Sequence, residues 1–277
     1  MNISEKTHIP FEILVATTNR TTLDFIDNMF KNNDLEHYHL LIINQTSEHK
    51  LLVSHKPNIR VINAFERGLS RSRNLAIQHA IGDICLLADD DVVYLEGFEN
   101  KIMEAFKLYP EAALIHFKAK NFKGDDFRKY PIKDCKHNLK TIRGMSSIEM
   151  AINRKLILNK KITFDVRFGL GAPFPTAEES LFCRNILKQN GLIYFNNAFI
   201  VAHSEHNSGR KLGDDEIVYA RGALNYYKYK KLAYFWIVRY VYFLVKNKYI
   251  KFSDVFEKVK LALKGLRILK KHYEYKT

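Results

Sequence analysis

Three consecutive aspartates, Asp89, Asp90 and Asp91, follow the apolar run ICLLA (84–88) and precede two valines. Adjacent carboxylates repel one another and raise one another's pKa unless a cation lies among them. Carboxylate oxygens are also the hard ligands that Mg²⁺ and Mn²⁺ prefer. The pattern therefore indicates a divalent-metal site with these three candidate ligands. The plainer interpretation is that one or two of them cap the next helix near Gly97 or lie solvated in a turn.

A second acidic pair, Glu178 and Glu179, begins the helix-like stretch EESLFCRNILK. A carboxylate can act as a general base by taking the proton of an attacking hydroxyl. Acidic residues are also common in the first turn of a helix, because they complement the helix dipole. The pair is therefore a candidate for proton transfer, and a purely structural helix start remains the alternative.

Two arginines, Arg71 and Arg73, lie at the predicted start of a helix in GLSRSRNLAI (68–77). Backbone N–H groups at a helix N-terminus and guanidinium side chains both bind anions such as phosphate. Both arginines are therefore candidate phosphate ligands. For Arg71, a solvated first helical turn is an equal alternative.

Short apolar runs of strand length alternate with segments of helical length along the chain. The strand-like runs are 11–17, 38–44, 59–63, 84–88, 112–117, 147–153 and 192–201, and a polar, turn-rich segment occupies 121–140. The helix near residues 70–82 is predicted to have Ser70 or Ser72 as its N-cap and Gly82 just past its end. The alternation predicts an α/β fold with a mainly parallel sheet covered by helices, in which ligands lie beyond the carboxyl ends of the strands.

The amino-acid composition limits the classes of protein to which the chain can belong. The 277 residues are 47% hydrophobic, which is enough for a real core and excludes wholesale disorder. Three cysteines, Cys85, Cys135 and Cys183, form no C-x-x-C pair, so neither a disulfide framework nor a zinc knuckle is predicted. A reducing cytoplasm fits this usage, and the N-terminal stretch lacks the pattern of a secretory signal.

Four stretches, in this order, resemble family 2 glycosyltransferases of the GT-A fold. They are VATTNR (15–20), GLSRSRNLAI (68–77), ADDDV (88–92) and FGLGAPFPTAEESLF (168–182). The resemblance covers roughly residues 10 to 205, and the order and spacing of the motifs carry it. In that family the first strand ends at the nucleotide pocket, the helix start lies beside the nucleotide, the Asp-rich motif binds a divalent ion, and a later acidic pair supplies the catalytic base.

The resemblance assigns a role to each matching residue. Glu179 is the favoured base, and Glu178 is the neighbour that shapes the acceptor site. His203 follows a strand-like run and would complete the metal shell, although a solvated turn histidine is an equal alternative; His206 is weaker. One departure is that relatives carry an acidic residue after the second strand where this chain has amides. The implied donor-binding residues are Thr17, Asn19, Arg20, Asn44, Gln45, Arg71, Arg73, Asn74 and Asp89, and the implied metal ligands are Asp89, Asp90, Asp91 and His203.

The C-terminal segment carries most of the formal net charge of +14. From Arg210 to Thr277 there are 17 Lys or Arg against 6 Asp or Glu, an excess of 11. The apolar run 232–245, interrupted by Arg239, is too short to span a bilayer. A basic amphipathic helix follows, which suits an anionic membrane surface, while packing on the preceding domain is the alternative. Its predicted apolar face consists of Val255, Val259, Ala262, Leu266 and Leu269.

Together these patterns predict an inverting glycosyltransferase that depends on Mn²⁺ or Mg²⁺. Its donor is a nucleotide sugar, most simply UDP-linked, and its acceptor is a growing glycan for which a lipid-linked form fits the tail. The expected organisation is a GT-A domain over 1–210, with a nucleotide-sugar half at about 10–118 and an acceptor half at about 140–210, followed by a helical extension over 211–277. The rivals are a sugar-nucleotide nucleotidyltransferase, which lacks a Gly-rich phosphate loop here, and an RNA-binding polycation, which lacks an aromatic RNA-binding signature. No nucleic acid is expected as partner, and the expected location is the cytoplasm or the inner face of the plasma membrane.

Overall fold

The computed structural model describes residues 8–204 and 212–274, with side chains up to residue 271. The chain divides into two compact units. The first comprises Met1–Asp165 and Glu179–Glu205, and the second comprises Val166–Glu178 and His206–Thr277. The finer boundaries between a donor half and an acceptor half stay a prediction.

The first unit is built on a sheet that joins parallel and antiparallel pairs. Its strands are β1 (Phe11–Thr18), β2 (Leu40–Gln45), β3 (Ile59–Ala64), β4 (Ile84–Asp89), β5 (Val93–Tyr94), β6 (Ala112–Asn121), β7 (Cys135–Lys136), β8 (Met150–Asn153) and β9 (Leu192–His203). The strand order is β3-β2-β1-β4-β8-β6-β9-β5, and β7 pairs with β9. Strands β3, β2, β1 and β4 are parallel, and antiparallel β8 joins them to the parallel pair β6 and β9.

Helices cover both faces of this sheet. They are α1 (Asp24–Met29), α2 (Leu69–His79), α3 (Phe98–Leu108), α4 (Arg154–Asn159) and α5 (Glu178–Lys188). One buried cluster joins side chains of α1 and α3 to the sheet, and another joins α2 and α5 to the opposite face. The strands read as continuous apolar runs because both faces are buried. The predicted α/β architecture is therefore confirmed, with a mixed sheet.

Two sequence predictions about α2 are wrong in detail. The N-cap is Gly68, with φ of 126°, and Ser70 and Ser72 are buried inside the helix. A side chain avoids this backbone conformation, so the position requires glycine. Gly82 does not cap the helix, which ends at His79; it lets the chain approach Glu12, whose Cβ would lie 2.6 Å from an added Cβ.

Two further segments differ from the sequence patterns in extent. Residues Ser147–Glu149, predicted as strand, form a 3-10 turn before β8. The turn is closed by a capping box in which Ser146 and Glu149 each bond the backbone of the other. The polar segment 121–140 is mostly irregular, but it contributes β7 to the sheet edge.

The second unit contains three longer helices, α6 (Asp215–Tyr229), α7 (Ala233–Lys246) and α8 (Val255–Glu274). Their buried side chains form one cluster, which includes Val218, Ala233, Ile237, Leu244, Ala262 and Leu266. The predicted apolar face of α8 therefore packs inside this unit. No helix within the described ranges is both long and apolar enough to cross a membrane.

Helices α6 and α8 approach each other at two glycines. A Cβ added to Gly222 would lie 1.8 Å from the carbonyl oxygen of Ala262, and one added to Gly265 would lie 2.0 Å from that of Tyr219. Contacts this short are sterically forbidden, so each helix presents a bare backbone to the other at this crossing.

A buried polar cluster joins the segment around residue 137 to the rest of the first unit. His137 contacts Thr141 Oγ1 through Nδ1 at 3.0 Å and His116 through Nε2 at 3.3 Å. His116 in turn contacts Glu149 at 3.2 Å, and Tyr130 donates to the same carboxylate. Burial, together with the neighbouring His116, lowers the pKa of His137 to about 4. His137 is therefore neutral near pH 7.

We expect this histidine to make the fold acid-sensitive. Between about pH 6.5 and pH 4 the unfolded chain binds a proton at His137 that the folded chain does not, so stability is lost as the pH falls through this window. His137→Gln removes this titrating group. The free energy of unfolding should therefore fall by about 2 kcal/mol less across this pH window than it does in the wild type. Urea unfolding at a series of pH values measures the difference. Identical pH slopes in both proteins would contradict the prediction.

Candidate active site

The predicted site residues gather where β1, β4 and β9 end. Parallel strands place their carboxyl ends at one edge of the sheet, so the chain segments that follow β1 and β4 are neighbours. His203 is the last residue of β9 and pairs with Asn121 at the end of β6. The three aspartates at the end of β4 are brought into this edge, but each has a different partner.

Asp89 contacts Arg73, which links it to Glu179. The guanidinium of Arg73 lies 3.2 Å from Asp89 Oδ1 and 3.4 Å from Glu179 Oε1, and it donates to Ser147 Oγ at 2.6 Å. Arg73 is buried, with 3% of its surface exposed. Burial raises the pKa of the Asp89 carboxyl, the Arg73 charge opposes the rise and the Asp91 charge adds to it. One arginine therefore holds two carboxylates that are far apart in sequence.

Asp90 is held by the end of β1. Thr17 donates to Asp90 Oδ2 at 2.5 Å, and Arg20 donates to the same oxygen through Nε at 2.8 Å. The turn that brings Arg20 there is fixed by Asn44, which accepts from the Arg20 N–H at 3.0 Å and donates to its carbonyl at 2.9 Å. Asn19 occupies the left-handed region, with φ of 54°. Asp90 thus ties the ends of β1 and β4 together.

Asp91 pairs with His203. Asp91 Oδ1 lies 3.1 Å from His203 Nε2, and the Phe127 ring packs edge-on against the imidazole at 5.6 Å. The hydrogen bond from His203 lowers the pKa of Asp91, although burial opposes this. Burial alone would lower the pKa of His203, but the hydrogen bond and charge of Asp91 outweigh it, and the pKa is raised.

Asp91 and His203 fit part of a divalent-metal shell. Magnesium is commonly bound by one or two carboxylates plus phosphate oxygens of the substrate, and an imidazole nitrogen suits manganese. No group of three or more acidic, histidine or cysteine side chains forms a complete metal site among the residues that the structure describes. Within the described part of the chain, Asp91 and His203 are thus the side chains at this edge that could contribute to such a shell.

Three predicted donor-binding residues make contacts elsewhere. Gln45 Oε1 accepts from the Gly68 N–H at 2.6 Å, and Asn74 bonds the Phe164 backbone through both ends of its amide, at 2.8 and 2.9 Å. Arg71 forms an exposed ion pair with Glu66 at 2.9 Å. These contacts position α2. His206 lies outside the described residues.

The two glutamates at the start of α5 differ in their exposure to solvent. Glu178 is buried, whereas the Glu179 side chain keeps 19% exposure and faces Arg73. Ala177, just before the pair, has φ of 79°. This turn leads into α5.

Sequence analysis missed Ser147, which receives the shortest of the Arg73 hydrogen bonds described above. The spacing Ser146-x-x-Glu149 is a capping-box signature that locates the turn. Nothing in that spacing predicts the contact with Arg73, because the two residues are 74 positions apart.

The family model described as "Glycosyl transferase family 2" matches residues 12–189. The chain belongs to this family and is a glycosyltransferase. No curated protein sequence matches it significantly.

Solved structures of S. aureus TarS share the fold. TarS 1–349 in complex with UDP-GlcNAc has a TM-score of 0.58 at 12% identity, and the match covers 97% of this chain and 93% of that chain. TarS 1–349 in complex with UDP has a TM-score of 0.51 at 12% identity, with 97% and 92% covered. A longer TarS structure has a TM-score of 0.55 at 14% identity, with 78% of this chain covered. The match spans only 39% of that longer TarS chain. Together with the family match, this likeness confirms the predicted GT-A fold.

Proposed function

We propose that the chain is a metal-dependent, inverting glycosyltransferase that uses a UDP-linked sugar donor. The observation that carries the proposal is Glu179, a partly exposed carboxylate oriented by a buried arginine that also holds Asp89. The TarS complexes with UDP-GlcNAc and UDP support the choice of donor, because they share this fold. Asn44 lies near the end of β2, where relatives carry an acidic residue, and it holds the turn that carries Arg20.

In the proposed mechanism each residue has a defined task. Glu179 takes the proton of the acceptor hydroxyl as that oxygen attacks the anomeric carbon, which is general-base catalysis. Arg73 orients Glu179, and the Thr17–Asp90–Arg20 contacts keep the end of β1 in place beside the donor. Asp91 and His203 would hold the divalent ion, whose charge stabilises the departing diphosphate when the ion is bound.

For the acceptor we propose a growing glycan, in a lipid-linked form as in surface polysaccharide assembly. The support is the basic C-terminal segment, with 17 basic against 6 acidic residues from Arg210 onward. Anionic lipids attract such a segment. The chain would then work at the cytoplasmic face of the plasma membrane, with the extension over 211–277 as its membrane-associating part.

Thermal unfolding in the presence of nucleotide sugars tests the donor and the metal together. A ligand that binds only the folded protein stabilises it by about 2.7 kcal/mol at a concentration of 100 times its Kd. We expect UDP-sugars with Mn²⁺ to raise the midpoint, and UDP-sugars with EDTA to have a smaller effect. Salt-sensitive RNA binding without any donor hydrolysis would favour the polyanion-binding alternative instead.

A further inference from the structure

An apolar stripe lies on the outward face of α7. Its central members, Phe235, Val238 and Tyr242, are 68%, 61% and 65% exposed. Their spacing of three and four residues places them on one side of the helix. The buried residues Ala233 and Ile237 lie on the other side, in the core of the unit. Large apolar side chains that line up in this way mark an interaction surface.

The basic residues around this stripe indicate what kind of partner the surface binds. Residues 228–251 contain seven lysines and arginines and no acidic residue. Arg239 and Lys246 are exposed at the edge of the stripe, and Lys248 and Lys251 are exposed just beyond the helix. Two exposed rings, Phe252 at 82% and Phe256 at 81%, follow along the chain. A helix with aromatic residues on one face and cations at its edges suits a lipid headgroup boundary.

We propose that the outward face of α7 is the membrane-docking surface of this protein and that its partner is an anionic bilayer. The fourteen residues of α7 span about 21 Å, which is less than a hydrocarbon core, so the helix lies in the plane of the interface. On the face of α8 that its periodicity predicted for this role, Ala262 and Leu266 are buried against other helices of the unit. A symmetric dimer through α7 is disfavoured, because it would bring two copies of the same basic segment together.

This inference rests on the proposed function in one respect, since a lipid-linked acceptor is reached at a membrane. Membrane docking is nevertheless measurable without any acceptor. The test compares vesicles of phosphatidylcholine alone with vesicles of phosphatidylcholine and phosphatidylglycerol, at low and high salt. The variant Phe235→Ser/Val238→Ser/Tyr242→Ser removes the apolar stripe. The variant Lys246→Gln/Lys248→Gln/Lys251→Gln removes three cations.

We expect the wild type to cosediment with anionic vesicles at low salt, and less so at high salt. The stripe variant should lose about ten-fold or more of its partition coefficient on both vesicle types, because the buried apolar area is gone. The cation variant should lose about ten-fold on anionic vesicles only. The control Leu108→Ser/Phe122→Ser changes exposed apolar residues of the first unit and should bind like the wild type.

Circular dichroism melts show whether each variant folds, and the single change Phe235→Ser serves if the triple variant does not. Wild-type binding by the stripe variant would overturn the proposal, as would a wild type that stays in the supernatant. A dimer that the stripe variant converts to a monomer, without vesicle binding, would assign the surface to a second copy. Thermal stabilisation by UDP-sugars with Mn²⁺, measured without vesicles, separates the two proposals: vesicle binding without this stabilisation overturns only the proposed function, and stabilisation without vesicle binding overturns only the docking.

Discussion

Replacing Glu179 with glutamine is expected to lower sugar transfer by about two to four orders of magnitude while donor affinity stays unchanged. The amide has nearly the same shape as the carboxylate and retains an oxygen that can accept from Arg73, which lies 3.4 Å from it in the native protein. It cannot take the proton of the acceptor hydroxyl. Steady-state transfer and calorimetric donor titration, performed on the same preparation, separate the two effects.

Glu178→Gln is the matched control, because it makes the same chemical change one residue away. Glu178 is buried, whereas Glu179 keeps 19% side-chain exposure, so only Glu179 is accessible to an acceptor. Its replacement should therefore have the milder effect on transfer. A reversed order would assign the base to Glu178. Full activity in both variants would mean that the acidic turn is only structural.

Replacing Asp91 with alanine is expected to abolish the manganese dependence of donor binding. Asp91 and His203 are 3.1 Å apart and form the pair that fits a shared metal shell. Loss of a direct ligand should cost more than the 10- to 100-fold that is usual for residues behind the ligands, so we expect at least about 100-fold weaker donor binding in Mn²⁺. Calorimetric titration of donor with Mn²⁺ and with EDTA measures both affinities.

Asp90→Ala distinguishes a metal ligand from a structural carboxylate. Its carboxylate is already engaged by Thr17 and Arg20. Its loss should weaken donor binding equally in Mn²⁺ and in EDTA, since it loosens the end of β1 rather than the ion. Equal donor affinity in the wild type and in both aspartate variants would contradict the prediction that this cluster binds a metal ion.

The sequence predicts the sheet and the edge where the site lies because both depend on local patterns. Apolar runs locate the strands, and the aspartates follow β4 in the chain. The partners of those aspartates are not predictable in this way. Arg73 is near Asp89 in sequence, but its contact with Glu179 joins residues 106 positions apart. The interpretation of Arg73 as a phosphate ligand needed only a helix start, whereas its observed ion pairs depend on how α2 and α5 pack.

The helical extension shows the same limit of prediction from local sequence patterns. The periodicity of α8 correctly identifies an apolar face, but it cannot distinguish a helix from a membrane as the partner of that face. The outward stripe of α7 was hidden within a run of fourteen residues that is apolar except for Arg239. Only the packing of the three helices shows which side of α7 remains exposed.

The crossing of α6 and α8 constrains how this extension can change in length. Gly222 faces the Ala262 backbone and Gly265 faces the Tyr219 backbone, so the two contacts fix the rotation of each helix about its axis. A single-residue deletion in α8 between the 3-10 turn at Phe252–Asp254 and Ala262 would turn the upstream part of the helix by about 100° relative to the crossing. It would move Phe256 and its neighbours to another side of the bundle. We therefore expect length changes to be tolerated in the connections between these helices but not within α6 or α8, because a change inside either helix would break the two close contacts.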